Sequence, residues 1–362
     1  MRALALAVAA VCSFCLRAGA QTEPSVKAMD VYRSQTLTPA RARAEASPLL
    51  GSYLRARLEH HRGNQKVEAR LKAQVEAKLK KSAGLAFLSI SVNDYVTSAN
   101  RTWYVTFDAV DAADAKTRMP FRAAPSGRAP DPEGLLAAWQ QYSDAGDALA
   151  QKGLLDMSAH PNCPGFFCLW GSKTPELKQL EQKLEAGAVS GRTLLEKTLA
   201  DDAEPRKRAA ALFVLSYLKD GKDVVELCYA ALEDPSEDVR SASLQILAEV
   251  ALYHKTVFLD VGKIVPALDY PTVSDRAKAL SVLVGLADNP SYRPTVLTRG
   301  TPYLLGLLRL QQPANHDLAF TLLAMLSQQS YDQRDYDSWR KWVESQSKGA
   351  VEVPGVSADD AR

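Results

Sequence analysis

The hydrophobic positions from Pro175 onward recur at the spacing of one amphipathic helix after another. Three segments, at 202–218, 233–251 and 269–286, share a pattern in which an arginine lies four residues before a core leucine and a second leucine follows three residues later. The arginines are Arg208, Arg240 and Arg276, which are 32 and 36 residues apart. Such a period is typical of stacked helix pairs. The pattern predicts a repeated helical region over 175–346.

The middle segment, EDPSEDVRSASLQILAEVA, shows why these residue types recur. Asp234 and Pro235 favour the start of a helix, and acidic residues in the first turn oppose the positive end of the helix dipole. Arg240 is then placed to reach acidic groups of a neighbouring repeat. We therefore assign Asp234 and the three arginines to the stacking of repeats.

A different pattern occupies residues 40–150. LAFLSISV (85–92) and WYVTFDAV (103–110) are rich in β-branched and aromatic residues and are joined by a polar turn, which predicts an antiparallel hairpin. A third strand is expected near 118–121. Helical periodicity before and after these strands predicts helices on one face of the sheet, and hence a small α+β domain with a hairpin or a three-stranded sheet.

Together these patterns predict a mostly α protein, in which a C-terminal α-solenoid of about five helix pairs follows the α+β domain. Residues 21–39 are polar and have no sustained period, so a flexible lead-in is expected there. Residues 151–174 form the junction between the two domains. The polar residues 347–362 are expected to be a disordered tail.

The first twenty residues have the pattern of a secretory signal peptide. Arg2 is followed by an apolar stretch from Leu4 to Leu16 and by the small residues Ala18-Gly19-Ala20. Cleavage is expected near Ala20-Gln21, with export to the periplasm or the cell exterior. No later segment approaches the roughly 20 apolar residues of a transmembrane helix, so no transmembrane segment is expected.

The charge of the chain is unevenly distributed. Residues 21–130 contain 18 basic and 10 acidic side chains, whereas the remainder is acidic. We interpret this asymmetry as two parts of the chain that dock on one another, and we expect no nucleic-acid partner, because no aromatic residues alternate with the basic ones. The basic helix predicted over 64–82 has a cationic outer face and is interpreted as packed on the sheet, because its apolar stripe holds only aliphatic residues. A peripheral contact of this helix with an anionic membrane surface is the less favoured alternative.

Three cysteines remain beyond the leader. Cys163 and Cys168 frame the turn-rich CPGFFC, and a disulfide between them is expected in an oxidising compartment. His160 with these two cysteines supplies three ligands, whereas structural zinc takes four, and the spacing differs from the CxxC of thiol oxidoreductases. A structural disulfide is therefore favoured over a metal site or a redox site, and Cys228 is interpreted as buried.

The known catalytic patterns are missing from the sequence. It contains no GxSxG, no HExxH and no glycine-rich phosphate loop. We therefore expect no enzymatic activity and assign no catalytic, cofactor-binding or metal-binding residue. Trp339 and Trp342 lie on one face of a C-terminal helix, where they are interpreted as a cap over the last repeat, with an aromatic interface as the alternative.

The stretch DPSEDVRSASLQILAEV resembles the first helix of a HEAT repeat, with its Asp-Pro turn, its Val-Arg pair and its alanines and leucines at helical spacing. The resemblance covers roughly 175–346 and departs from the pattern at Ser274-Asp275 and Asp317. The whole chain is similar to uncharacterised exported bacterial proteins with HEAT repeats, a resemblance that implies an architecture and no activity.

These expectations favour an exported, non-enzymatic module that binds an unknown protein or acts as a scaffold through its solenoid surface. The alternative is an enzyme whose site lies in the cleft between the α+β domain and the first repeats, around His160 and Trp170. Some HEAT-like proteins are lyases that act on bound chromophores, so the resemblance also allows catalysis.

Overall fold

The computed structural model describes residues 25–59, 63–96, 100–156, 160 and 162–347. The predicted signal peptide and residues 348–362 of the predicted tail lie outside the described residues. The chain forms two compact units. The first contains Phe121–Ile264 and Ser281–Leu286, and the second contains the described residues of Leu16–Pro120, Val265–Leu280 and Ala287–Arg362.

The described chain is mostly helical, with a small sheet near its N-terminal end, as the sequence predicts. The strands are β1 (Ser25–Tyr32), β2 (Leu85–Val96) and β3 (Arg101–Asp111). The helices before residue 155 are α1 (Pro39–Ala46), α2 (Leu49–Leu58), α3 (Gln65–Ala83), α4 (Ala115–Arg118) and α5 (Leu135–Gln151). Those that follow are α6 (Pro175–Ser190), α7 (Arg192–Asp201), α8 (Pro205–Leu215), α9 (Gly221–Ala231), α10 (Glu237–Tyr253), α11 (Val261–Ile264), α12 (Val273–Ala287), α13 (Arg293–Leu308), α14 (Pro313–Ser327) and α15 (Tyr336–Ser347).

The sheet has the order β1-β3-β2 and is mixed. Strands β2 and β3 pair antiparallel, which confirms the predicted hairpin. The third strand is β1, parallel to β3, so the expectation of a strand near 118–121 was wrong, and part of the predicted lead-in 21–39 is β structure. The segment from Ala115 to Arg118 is helical instead. Pro120 has no backbone N–H to donate to a strand ladder, and the buried Arg118 guanidinium donates to the carbonyl of Ala109 at 2.8 Å.

The core of the second unit forms where α1, α2 and α3 pack together and α3 packs on β2. Fully buried side chains from the helices meet those of the sheet, among them Leu37, Leu50, Tyr53, Val75, Leu79, Ile90, Val105 and Phe107. Helix α3 ends at Gly84, whose φ of 67° is the left-handed conformation that glycine adopts without strain at a helix end. This turn leads directly into β2.

In the first unit, α5 packs on α6 and α8, α7 packs on α8, and α8 packs on α10. Helix α5 therefore lies with the helices of this unit, although the sequence analysis includes its residues in the α+β domain 40–150. Several helices begin with the expected capping chemistry. Thr174, Asp220 and Ser236 accept hydrogen bonds from the first free amides of α6, α9 and α10, and proline occupies the first turn of α6 and α8.

Candidate functional site

The arginines of the three similar segments, Arg208, Arg240 and Arg276, share one geometry. We call them the repeat arginines. Each is at most 2% exposed, and each donates from Nη1 to the backbone carbonyl of the residue six positions earlier. The acceptors of Arg208, Arg240 and Arg276 are Asp202, Asp234 and Tyr270, at 2.8, 2.9 and 3.0 Å. Each guanidinium therefore ties the first turns of its own helix to the loop before it.

Asp234 is the centre of a buried ion cluster in the first unit. Its fully buried carboxylate accepts two hydrogen bonds from Arg208, at 2.6 and 2.9 Å, and a third from Arg122 at 2.8 Å. The amide of Ser236 donates to the same group at 2.8 Å. Burial raises the pKa of Asp234, but the hydrogen bonds from Arg208 and Arg122 outweigh burial and hold the pKa below its ordinary value. Asp234 thus joins α8 to the start of α10 as an ionised group.

Residues 121–131, hereafter the strap, contact the end of α7 and the loop before α10. The Phe121 ring packs under the guanidinium of Arg240 at 4.0 Å. Further along, the amide of Gly127 donates to the carbonyl of Asp201, and the amide of Ala129 donates to the Asp202 carboxylate. The Pro-rich sequence that separates the basic and acidic parts of the chain is therefore a docked segment of the first unit.

In the second unit, Arg276 has partners from the sheet. It donates to the buried Asp108 of β3 at 2.6 Å and to the side-chain oxygen of Asn315 at 3.2 Å, and its guanidinium lies 3.9 Å from the centre of the Tyr32 ring. Arg276 is also bonded to the Pro271 carbonyl. The geometry commits all three repeat arginines to contacts within the protein, so these side chains are not presented to a ligand.

The junction residues form a loop closed by the Cys163–Cys168 disulfide, which confirms the predicted pairing. The amide of Phe166 donates to the Ser216 carbonyl at 2.8 Å, and the Ser216 hydroxyl donates to the Phe167 carbonyl at 3.2 Å. A Cβ at Gly165 would lie 2.9 Å from the Ser216 carbonyl oxygen, so glycine permits this close approach. The loop is fastened to the turn that follows α8.

Replacing Cys163 and Cys168 together with serine is expected to lower the free energy of unfolding by about 2 kcal/mol, the effect of opening a loop this short. Chemical denaturation with and without dithiothreitol measures this change. Reductant should shift the unfolding curve of the wild type and leave the double variant unaffected. An equal shift in both proteins would contradict the assignment, because it would have to arise elsewhere.

Glu181 of α6 is a buried carboxyl at the base of a cleft of about 200 Å³. It is 1% exposed and accepts hydrogen bonds from the hydroxyls of Tyr142 and Tyr217, each at 3.2 Å, and from Ser172. Burial raises the pKa of Glu181 above its ordinary value, although the hydroxyl donors oppose this effect. The cleft is lined by Asn162, Cys163, Pro164, Ser172, Lys178, Glu181, Gln182 and Glu185. Burial favours the protonated form of this carboxyl, but both of its oxygens already accept hydrogen bonds.

The two residues around which the sequence analysis placed an enzyme site have different environments. Trp170 is 8% exposed, donates its ring N–H to the Ser143 carbonyl at 3.3 Å, and fills the space beside Gly146 of α5. It is a core residue of the first unit. His160 is partly exposed, and its Nε2 atom is within hydrogen-bond distance of the Glu249 carboxylate of α10.

Around His160 lies a surface of aromatic rings. The His160 ring lies against the Tyr253 ring at a tilt of 32°, with 3.6 Å between the ring centroids. The centroids of the Phe166 and His254 rings are 4.8 Å apart. Tyr253 is 51% exposed, and Phe258, in the loop between α10 and α11, is 74% exposed. Burial and then the charge of His160 lower the pKa of His254, so His254 is neutral at pH 7. We call these four rings, together with Phe258 four residues beyond His254 in the chain, the aromatic surface.

The base of the aromatic surface is tightly packed. Helix α9 begins at Gly221, where an added Cβ would lie 2.6 Å from Val257 and 2.9 Å from the Phe166 ring. Sequence reasoning missed this surface, since Phe258 sits in HKTVFLDVG without periodicity to mark it. The sequence feature that could have indicated the surface is a phenylalanine in the short connection between two helices.

The C-terminal tryptophans differ in accessibility. Trp339 is fully buried, donates its ring N–H to the Asp332 carbonyl at 2.9 Å, and makes edge-to-face contacts with Phe320, Tyr331 and Trp342. Trp342 is half-buried. Trp339 therefore belongs to the core beneath α15, and a partner has no access to its ring.

Two further searches cover the described residues. Within this part of the chain, no three or more His, Cys, Asp or Glu side chains are grouped so that they could hold a metal ion. No described helix has the length and apolar character needed to cross a membrane. Comparison of the chain with protein-family models, with curated proteins and with solved structures finds no match.

Proposed function

We propose that this protein is exported and acts, without catalysing a reaction, as a protein-binding or scaffold module built from HEAT-like helix pairs. The single observation that carries the binding role is the aromatic surface, in which Tyr253 is 51% exposed and Phe258 is 74% exposed. The partner is a protein that covers these rings. Export is supported by the leader pattern and by the Cys163–Cys168 disulfide, because such bonds persist in oxidising compartments.

The repeat interpretation is supported by the arginine geometry. Three segments that resemble one another in sequence place their arginines in the same bond, to the carbonyl six residues earlier. In a repeat protein, residues at the same position of each repeat are expected to make the same contact, as these arginines do. In the HEAT-like interpretation, the arginines hold the helix starts and leave the loops at the opposite helix ends for recognition.

The aromatic surface has the physical properties of a binding hot spot. Aromatic residues are enriched at the centres of protein interfaces, where a few side chains supply most of the binding energy. The rings of His160 and Phe166 are held by Tyr253 and His254, and the loop beneath them is closed by the disulfide. Rings that are held by neighbouring rings lose less conformational entropy on binding than freely rotating side chains.

Replacing Phe258 with serine is expected to weaken partner binding at least tenfold, about 1.4 kcal/mol or more. Stability should be nearly unchanged, because the side chain is mostly exposed. The measurement is capture of proteins from extracytoplasmic extract on the wild type, followed by affinity measurement with the purified partner. Val189→Ser, at a site 60% exposed on α6, is the matched control. Equal affinities for the wild type and both variants would exclude the aromatic surface.

The alternative is an enzyme that uses the cleft above Glu181. It is favoured by the raised pKa of this buried carboxyl and by the convergence of three hydroxyl groups on it. Purified protein would be incubated with small molecules extracted from the same compartment and products sought by mass spectrometry. Turnover that Glu181→Gln abolishes, while the fold is retained, would replace the binding proposal by an enzymatic one.

A further inference from the structure

We propose that the exposed face of α3 in the second unit docks on a phospholipid bilayer that carries anionic headgroups. Helix α3 exposes five cationic side chains, which are Lys66, Arg70, Lys78, Lys80 and Lys81. We call this set the cationic face. Membrane docking through α3 goes beyond the proposed protein-binding role and is independent of it, because the aromatic surface lies on other elements of the protein.

The acidic residues of α3 are both withdrawn from the cationic face. Glu68 is 8% exposed and pairs with Arg57 of α2 at 3.0 Å. Glu76 is half-buried and accepts from the amide of Ile90 in β2 at 2.8 Å. In α3, which the structure describes throughout, every exposed charged side chain is therefore positive.

Packing and docking use opposite sides of the helix. The side that carries Glu68, Val75 and Leu79 is buried, in agreement with the predicted packing of this helix on the sheet. The outward side places Ala69, Ala73 and Ala77 between its cations, all of them exposed. Because these side chains are short, a flat surface can approach the helix closely along its length.

The charges are spread along the helix. From Lys66 to Lys81 the axial distance is roughly 22 Å, at 1.5 Å per residue. Nearby groups add to the positive charge: Arg43 of α1 and Arg55 of α2 are exposed, and Glu45 is neutralised by an ion pair with Arg41 at 2.6 Å. Glu59, beyond α2, is an exposed acidic residue close to the first turn of α3, where Asn64 donates to it.

The composition of this face favours a lipid surface over other polyanions. Helix α3 contains no aromatic residue on which nucleic-acid bases could stack. The large apolar side chain that α3 exposes is Val67, which is 39% exposed. One valine supplies too little apolar area for the centre of a specific protein interface. A helix face with several exposed cations and short side chains between them suits adsorption to an anionic bilayer, because that attraction is electrostatic and decays within a Debye length of the surface.

The experiment is sedimentation of the chain lacking the predicted leader, 21–362, with vesicles of phosphatidylcholine alone or with about one third phosphatidylglycerol, a mixture that raises the surface charge. Binding is expected to the anionic vesicles at low salt and to disappear at about 0.5 M salt. The triple variant Lys66→Gln, Arg70→Gln, Lys81→Gln should bind about 100-fold more weakly. Its thermal unfolding should match the wild type, because the three side chains are exposed.

The matched control neutralises three exposed cations elsewhere, with Arg206→Gln, Lys222→Gln and Arg299→Gln. This variant has the same net charge as the α3 variant and should bind within threefold of the wild type. Equal losses in both variants would overturn the proposal, since net charge alone would then explain binding. Binding that resists salt would also overturn it, as would α3-dependent binding to polyglutamate or nucleic acid without binding to vesicles.

Discussion

Replacing Asp234 with alanine is expected to lower the free energy of unfolding by about 3–5 kcal/mol, the effect of leaving a buried charge unpaired. The variant would leave Arg208 at 2% exposure without the carboxylate that accepts two of its hydrogen bonds. It would also remove the acceptor of Arg122 and of the Ser236 amide. Chemical denaturation followed by circular dichroism measures the change.

Asp238→Ala is the control for this experiment, because Asp238 is exposed in the first turn of the same helix. It should cost less than about 1 kcal/mol, the usual effect of a charge at a helix N-terminus. Because the folded pKa of Asp234 is below its ordinary value, its stabilising effect is present above about pH 4 and is lost as the pH falls through the folded pKa. A wild-type-like stability for Asp234→Ala would contradict the ion cluster.

Replacing Arg276 with methionine is expected to destabilise the protein by a similar amount, about 3–5 kcal/mol. The fully buried Asp108 would lose its cationic partner at 2.6 Å, and the carbonyls of Tyr270 and Pro271 would lose a donor. Methionine preserves much of the side-chain volume, so the loss reports mainly on charge and hydrogen bonding. Equilibrium unfolding by urea gives the difference.

Two further variants separate this effect from general damage. Arg299→Met removes an exposed arginine of α13 and should change stability by less than about 0.5 kcal/mol. In the double variant Arg276→Met, Asp108→Asn the unpaired charge is gone, so part of the loss should be recovered. Strict additivity of the two changes would show that Arg276 and Asp108 do not interact.

The elements that the sequence predicts are those determined by nearby residues. The spacing from Arg240 to Leu244 and Leu247 lies within one helix, and the hairpin partners β2 and β3 are consecutive strands. Strand β1 was missed because its partner is about 75 residues away, as in the pairing of Val31 with Phe107. Its buried residues also depend on distant acceptors, since the Tyr32 hydroxyl donates to the Leu268 carbonyl.

The same distinction applies to the strap and to the candidate site. Proline and glycine in residues 121–131 suggest a linker. The segment is docked instead, because Ala129 and Arg122 make hydrogen bonds to Asp202 and Asp234, which lie 73 and 112 residues later. The disulfide was predictable from the short spacing of its cysteines. The pair of His160 and Glu249 spans 89 residues, and the exposure of Phe258 depends on how its loop leaves α10. Neither the His160–Glu249 pair nor the exposure of Phe258 is marked by a pattern among neighbouring residues in the sequence.

Photo-crosslinking from position 258 tests the proposed binding role most directly. Phe258 is replaced by benzoylphenylalanine, an aromatic residue that the exposed site accommodates, and the protein is irradiated in the compartment to which its export is proposed. Tyr95, an aromatic residue 37% exposed in the second unit, is replaced in the same way as the control. The expected result is one dominant protein adduct from position 258 that the control does not give. Identical adducts from both positions, or none from position 258, would contradict a binding site at the aromatic surface.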